Sequence, residues 1–226
     1  MHSNWSRSLV LVGIMLALAC TEKGAPTEPV DRSAAAPTLA VDHGVDLSRL
    51  VPSLSPTFAD WSCVATGTGP VCRGERLSEV AWEPTDEIPC VRPVYHQLTD
   101  LRRQTRYYDE NYLNFFRRFH LVQTEYWSLS PTGEDAVVIS SNVTFTETYV
   151  VAGDDATRTI KSNGGLFQLK DTRGGVILQW SGAILEPPGG DLEVIGGNVN
   201  SAKSFLKDPE AFLAATCEAM GTEMAS

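Results

Sequence analysis

Val137-Val138-Ile139-Ser140-Ser141-Asn142-Val143-Thr144-Phe145-Thr146-Glu147-Thr148-Tyr149-Val150-Val151 is the stretch on which the fold turns. Val137, Ile139, Val143, Phe145 and Tyr149 share one parity, and Asn142, Thr144, Thr146 and Thr148 share the other. Successive side chains of a strand point to opposite faces. A period of two built from β-branched and aromatic residues therefore predicts a half-buried strand, apolar on one face and hydroxylated on the other. Ser141 and Glu147 fall on the apolar parity and are candidate interior polar residues. A carboxylate there ends its strand in solvent, pairs with an arginine, or sits in an internal pocket where burial raises its pKa.

Outward from this run the same pattern repeats. Val176, Leu178, Trp180 and Ile184 lie opposite Gln179 and Ser181 after a Gly174-Gly175 turn. Shorter candidate strands are Val94 to Tyr108, Tyr112 to Trp127, Thr157 to Lys161, Leu166 to Asp171 and Leu192 to Ile195. Turn residues separate them, at Pro131-Thr132-Gly133, Gly153-Asp154-Asp155, Asn163-Gly164-Gly165 and Pro187-Pro188-Gly189-Gly190. About seven strands with short connections predict an all-β antiparallel meander that closes as a barrel or folds as a sandwich. One C-terminal helix is expected, with Asp208 as N-cap, Pro209 in the first turn and Gly221 as the stop. Leu213, Cys217 and Met220 share one face of it.

Four cysteines lie in the folded part: Cys63, Cys72, Cys90 and Cys217. Four cysteines allow three connectivities. Thr66-Gly67-Thr68-Gly69-Pro70 turns the chain between Cys63 and Cys72, which favours a local bridge there and leaves Cys90 for Cys217. The second bridge clamps the helix to the start of the β region. No Cys-x-x-Cys pair exists, and no metal site or cofactor is expected.

From about Ile88 to Gly221 the order of features is Cys90, Tyr108-Asp109, Ser130-Pro131-Thr132-Gly133, Ser181-Gly182 and Leu213-Ala214-Ala215-Thr216-Cys217. This order resembles a group of uncharacterised secreted bacterial β-proteins common in actinobacteria, with Ser130 where the group has asparagine. The resemblance implies a β-rich exported domain with a cysteine-clamped helix, and it implies no activity.

The N-terminus has the zones of an export signal: Arg7, the apolar run Leu9 to Leu18, then small residues. The run is too short to span a bilayer as a helix. Leu16-Ala17-Leu18-Ala19-Cys20 resembles a bacterial lipobox, and Ala17-Leu18-Ala19 also fits an ordinary signal-peptidase site. The lipobox implies lipidation of Cys20 and membrane attachment outside the cytoplasm, in the bacterial cell envelope; the ordinary site implies a freely secreted chain. Thr21 to Asp60 is rich in Ala, Pro, Thr and Ser without sustained periodicity and reads as a tether. The expected organisation is a signal over 1–19, a lipidated N-terminus and tether over 20–60, a disulfide hairpin extension over 61–87 and a β domain over 88–226.

The chain has 18 basic and 28 acidic residues, a net charge of −10. Nucleic-acid binding needs the opposite sign. No Gly-x-Ser-x-Gly elbow, His-Glu-x-x-His motif, P-loop or dinucleotide fingerprint is present. Within this acidic chain Arg102, Arg103, Arg106, Arg117 and Arg118 interleave with aromatic residues that include Tyr108 and Tyr112. Two readings stay open for these residues. Either aromatic side chains pack on one face while the arginines meet solvent or acids, or the hairpin is a contact patch for an anionic glycan, a lipid headgroup or an acidic protein surface. The function expected overall is that of a binding or structural module of the cell envelope. The alternatives are a barrel holding a small apolar ligand among Val143, Phe145, Leu178 and Trp180, and a hydrolase or isomerase using Glu147 or His120 in a barrel interior.

Overall fold

The computed structural model describes residues 41–198 and 208–225. Nine strands form a single sheet whose spatial order is the chain order. They are β1 (Val41–His43), β2 (Ala59–Thr66), β3 (Gly69–Thr85), β4 (Val94–Tyr108), β5 (Asn114–Ser128), β6 (Val137–Tyr149), β7 (Arg158–Lys170), β8 (Val176–Glu186) and β9 (Glu193–Gly197). From β2 to β9 every neighbouring pair is antiparallel, and β1 adds to β2 in parallel. The antiparallel meander with one C-terminal helix, α1 (Pro209–Ala219), is the architecture the alternation predicts. The sheet is not closed, since β1 and β9 do not pair, so barrel or sandwich describes it only loosely.

The sheet is nonetheless strongly curved. One apolar cluster joins Cys63 of β2 to Ile160 of β7, and a second joins Val94 of β4 to Ile184 of β8. Strands so far apart in the order meet only if the sheet wraps around one concave face. That face is covered at each end by chain rather than by closure of the edges.

At one end α1 packs on the second cluster. Its Asp208 side chain accepts a hydrogen bond from the Ala211 amide at 2.9 Å, as a capping residue does. Phe212 sits edge-on to Phe167 at 5.1 Å and tilted against Trp180 at 5.5 Å. The Cys90–Cys217 disulfide and the amide of Val91, which donates to Glu223 O at 2.8 Å, fasten helix and C-terminus to the loop before β4. The buried face is broader than Leu213 and Cys217 alone, since Phe212 and Thr216 are buried as well.

At the other end lies the segment 45–58, read from sequence as part of a tether. It buries Val45, Leu50 and Phe58 in the first cluster, and its 3₁₀ turn covers Leu47–Arg49. Inward groups of the sheet hold it: Tyr108 Oη donates to Pro52 O at 3.1 Å, Arg106 Nη1 to Ser53 O at 2.8 Å and Trp61 Nε1 to Ser55 O at 2.9 Å. Cys20 and the signal lie outside the described residues.

The Cys63–Cys72 hairpin is a further correction. It closes as expected, but β3 pairs with β4 from Val71↔Tyr107 to Thr85↔Val94, so the hairpin is part of the sheet rather than an extension of it. Between Arg73 and Glu83 β3 carries mostly charged and small residues, which is why its periodicity does not announce a strand. Conversely, Thr157 to Lys161 and Leu166 to Asp171 belong to one strand, β7. Asn142 faces Gly165 while Ser140 faces Gln168, and Gly165 faces Ser181 while Phe167 faces Trp180. Leu166 is thus an extra residue relative to both neighbours, a β-bulge that reverses the inward parity from Ile160 and Ser162 to Phe167 and Leu169. Ser141 Oγ donates to the Leu166 carbonyl at 2.9 Å.

Candidate functional site

The polar residues singled out from the sequence divide between the two faces of the sheet. Arg102, Arg106, Arg117 and Tyr108 point inward and are buried, with Ser141 and Glu147 on the same face. Arg103 and Arg118 point outward and are exposed, and Arg103 Nε meets Glu75 Oε2 at 2.6 Å. Tyr112 sits in the β4–β5 turn with the Arg49 guanidinium 4.0 Å above its ring. The seven arginine and tyrosine residues therefore do not share one surface.

Inside, each arginine meets a specific acceptor. Arg117 faces Glu147 across β5 and β6 and donates from Nη2 to its Oε1. Glu147 Oε2 accepts from Tyr149 Oη at 3.2 Å and lies 3.7 Å from Arg158 Nη1. Of the three fates open to the Glu147 carboxylate, pairing with arginine is the one observed. Burial, and then the Glu147 charge, push the Tyr149 hydroxyl well above the ordinary tyrosine range. Arg106 donates from Nε to Gln104 Oε1 at 3.1 Å and stacks 5.4 Å over Trp61. Arg102 Nε donates to Asp100 Oδ2 at 2.6 Å, while Asp100 Oδ1 is buried with no hydrogen-bond partner.

Nearer the helix end, His96 Nδ1 lies 2.8 Å from Glu125 Oε1 and its Nε2 lies 3.4 Å from Glu83 Oε1. The hydrogen bond to Glu125 raises the His96 pKa above the usual 6.5, with burial opposing it. Burial raises the Glu87 carboxyl, and the charge of Glu125 raises it further. Among the described residues no group of three His, Cys, Asp or Glu side chains is placed to hold a metal ion. No helix there is long and apolar enough to cross a membrane. The residues considered as an apolar ligand lining fall in two separate apolar clusters, Val143 and Phe145 in one and Leu178 and Trp180 in the other, where Phe145 packs on Phe119 at 5.3 Å and Trp180 on Phe167 at 4.8 Å.

The outer face is different. Thr124, Ser140, Gln168 and Gln179 stand in register across β5, β6, β7 and β8. One step along, Val122, Asn142, Gly165 and Ser181 form the next row. Around the bulge these residues, all but Ser181, line a recess of about 310 Å³ together with Gln123, Ser141 and Phe167. Gln168 Nε2 donates to Gln179 Oε1 at 3.2 Å, and His120 Nε2 lies 2.9 Å from Asn142 Oδ1. The sequence reading missed this recess because it treats Asn163-Gly164-Gly165 as a turn. A glycine pair inside an otherwise alternating run also marks a bulge or a close backbone approach, and that was the available signal.

The chain matches no family model, no curated protein and no solved structure.

Proposed function

We propose that this protein is a cell-envelope lipoprotein, attached through Cys20 outside the cytoplasm, whose sheet domain is a binding module that meets its partner with its outer face. The observation that carries the reading is the use of the inward charges. Arg102, Arg106, Arg117 and Glu147 are occupied with Asp100, with Gln104 and Ser53, and with one another, so their chemistry holds the scaffold together. Chemistry directed at a partner is then that of the outward rows of Thr, Asn, Gln and His, together with Arg118. Two disulfides suit an oxidising compartment beyond the cytoplasm. An acylated cysteine next to the export signal supplies the anchor, at about 0.8 kcal/mol of membrane affinity per buried methylene.

The test is in two parts. Intact mass of the chain recovered from its native membrane shows an acylated Cys20 if the anchor is right, and an unacylated N-terminus overturns it. Photo-crosslinking side chains at Thr144 and Thr146 capture an envelope component if the outer face is the contact surface. Capture from an inward position such as Ser78, with none from these two, overturns that part.

A further inference from the structure

The recess in the outer face is a built feature, not a gap between loops. It exists because β7 carries its extra residue at Leu166, which displaces strand pairing on both sides at the same height. Bulges of this kind are over-represented beside functional sites, where they re-aim side chains. Gly165 stands in the wall of the recess and contributes no side chain to fill it. A Cβ added there would meet only Asn142 O, at 3.9 Å, whereas one added to neighbouring Gly164 would lie 2.4 Å from the same oxygen. Gly164 is therefore required by the backbone, and the openness at Gly165 is not.

The lining has a consistent chemistry. Thr124, Ser140, Asn142, Gln168 and Gln179 are neutral donors and acceptors, and no charged side chain lines the recess. The amides are oriented by their own contacts. With its oxygen accepting from Gln168, Gln179 presents its Nε2 donor, and Gln168 presents its Oε1 acceptor. With Nε2–H of His120 on its oxygen, Asn142 presents its Nδ2 donor. Val122 adds apolar surface to the same recess, and Phe167 borders it with its ring packed inward on Trp180. The Thr124–Gln179 row crosses three strand spacings of about 4.8 Å, so it spans roughly 14 Å. Alternating neutral donors and acceptors beside apolar surface match a ring that carries hydroxyls at its edge and C–H bonds on its face. The volume lies at the lower end of the roughly 300–1,000 Å³ found for small-molecule sites.

We infer that the recess at the Leu166 bulge is a binding site for neutral sugar units, held through Asn142, Gln168 and Gln179 and admitted by the missing side chain at Gly165. This rests on the outer face being the contact surface. It assigns the ligand class, a neutral glycan, where charge alone suggested an anionic one.

Amide-resolved NMR titration of the full chain with chitobiose and with cellobiose tests it. Saturable shifts are expected at the side-chain amides of Asn142, Gln168 and Gln179 and at the Gly165 backbone amide, for at least one disaccharide. Gly165→Leu fills the recess and is expected to weaken binding about tenfold or more while keeping the thermal midpoint. The pair Gln168→Ala and Gln179→Ala, which leaves the bulge untouched, is expected to do the same by removing hydrogen-bond partners. The proposal is overturned if neither disaccharide moves these amides, if Gly165→Leu or the paired variant binds like the parent, or if trialanine produces the same shifts. Capture of an envelope component from Thr144 with no disaccharide response overturns the sugar assignment and leaves the broader binding-module reading standing.

Discussion

Arg117 and Glu147 face each other across β5 and β6, both on the concave face, with side chains only 7% and 1% exposed. A buried ion pair is a weak source of net stability, but breaking one strands a charge. Glu147→Gln leaves the Arg117 guanidinium inside the sheet without its carboxylate. We expect a loss of about 3–5 kcal/mol, read from urea unfolding followed by tryptophan fluorescence. The double variant Arg117→Met with Glu147→Leu should be the more stable of the two, because no member of the pair remains charged. Equal losses would show that the pair does not set the stability of this region.

Stability should fall as pH rises across neutrality. The folded-state pKa of His96 is raised, chiefly by its hydrogen bond to Glu125. Its contribution is therefore complete below the unfolded value of 6.5 and is lost as pH rises through the folded value. Glu87 acts in the same sense at lower pH: burial raises its pKa from 4.5, so the fold favours its protonated form and gives up that preference as the carboxyl ionises. The urea midpoint should be lower at about pH 8.5 than at about pH 6. In His96→Gln that difference should shrink, and an unchanged difference would assign the slope to other groups.

The two disulfides should contribute unequally. Cys90–Cys217 spans 127 residues and Cys63–Cys72 spans 9. Chain-entropy arguments give about 5 kcal/mol for the long closure and about 3 kcal/mol for the short one. Cys217→Ser should therefore cost more than Cys72→Ser in urea titrations. It should also increase hydrogen exchange through Pro209–Ala219, while the β4–β6 amides stay protected.

Adjacent glycines in β7 should respond in opposite ways. Gly164 has φ +132°, and its added methyl would lie 2.4 Å from Asn142 O, so Gly164→Ala should lower the thermal midpoint markedly. At Gly165 the same change meets nothing closer than 3.9 Å and should be nearly neutral. Similar midpoints for the two variants would contradict the bulge geometry.

Phe212 of α1 is in ring contact with both Phe167 and Trp180. Phe212→Ala should cost about 3–5 kcal/mol, the range for removing a buried aromatic ring. A far smaller loss in thermal or urea unfolding would mean that the disulfide alone seats the helix.

Local chemistry made much of this chain legible. Alternation defines β4, β5, β6 and β8, because the pleat of a strand fixes side-chain direction wherever one face is buried. Asp208, Pro209 and Gly221 mark the helix, because capping and turn geometry are properties of a few adjacent residues. The Cys63–Cys72 and Cys90–Cys217 pairings followed from one local turn and the remaining cysteines. The sequence reading grouped Arg102, Arg103 and Arg106 as one patch, although a strand's period of two puts Arg103 on the opposite face from the other two. Parity could not show which face is inward, since both carry arginine and aromatic residues.

Only the tertiary structure decided that question, and it did so through partners distant in sequence. Arg117 is stable in the interior because Glu147 lies opposite on another strand, and cross-strand register is set by the whole sheet rather than by either segment. The same holds for β3, whose polar sequence becomes a strand by pairing with β4, and for residues 45–58, whose few apolar side chains find their burial only over the curved sheet. The recess also belongs to this level. The sequence supplies Gly164, Gly165 and the amides, but it takes the paired strands on both sides of Leu166 to turn a glycine pair from a chain reversal into a bulge.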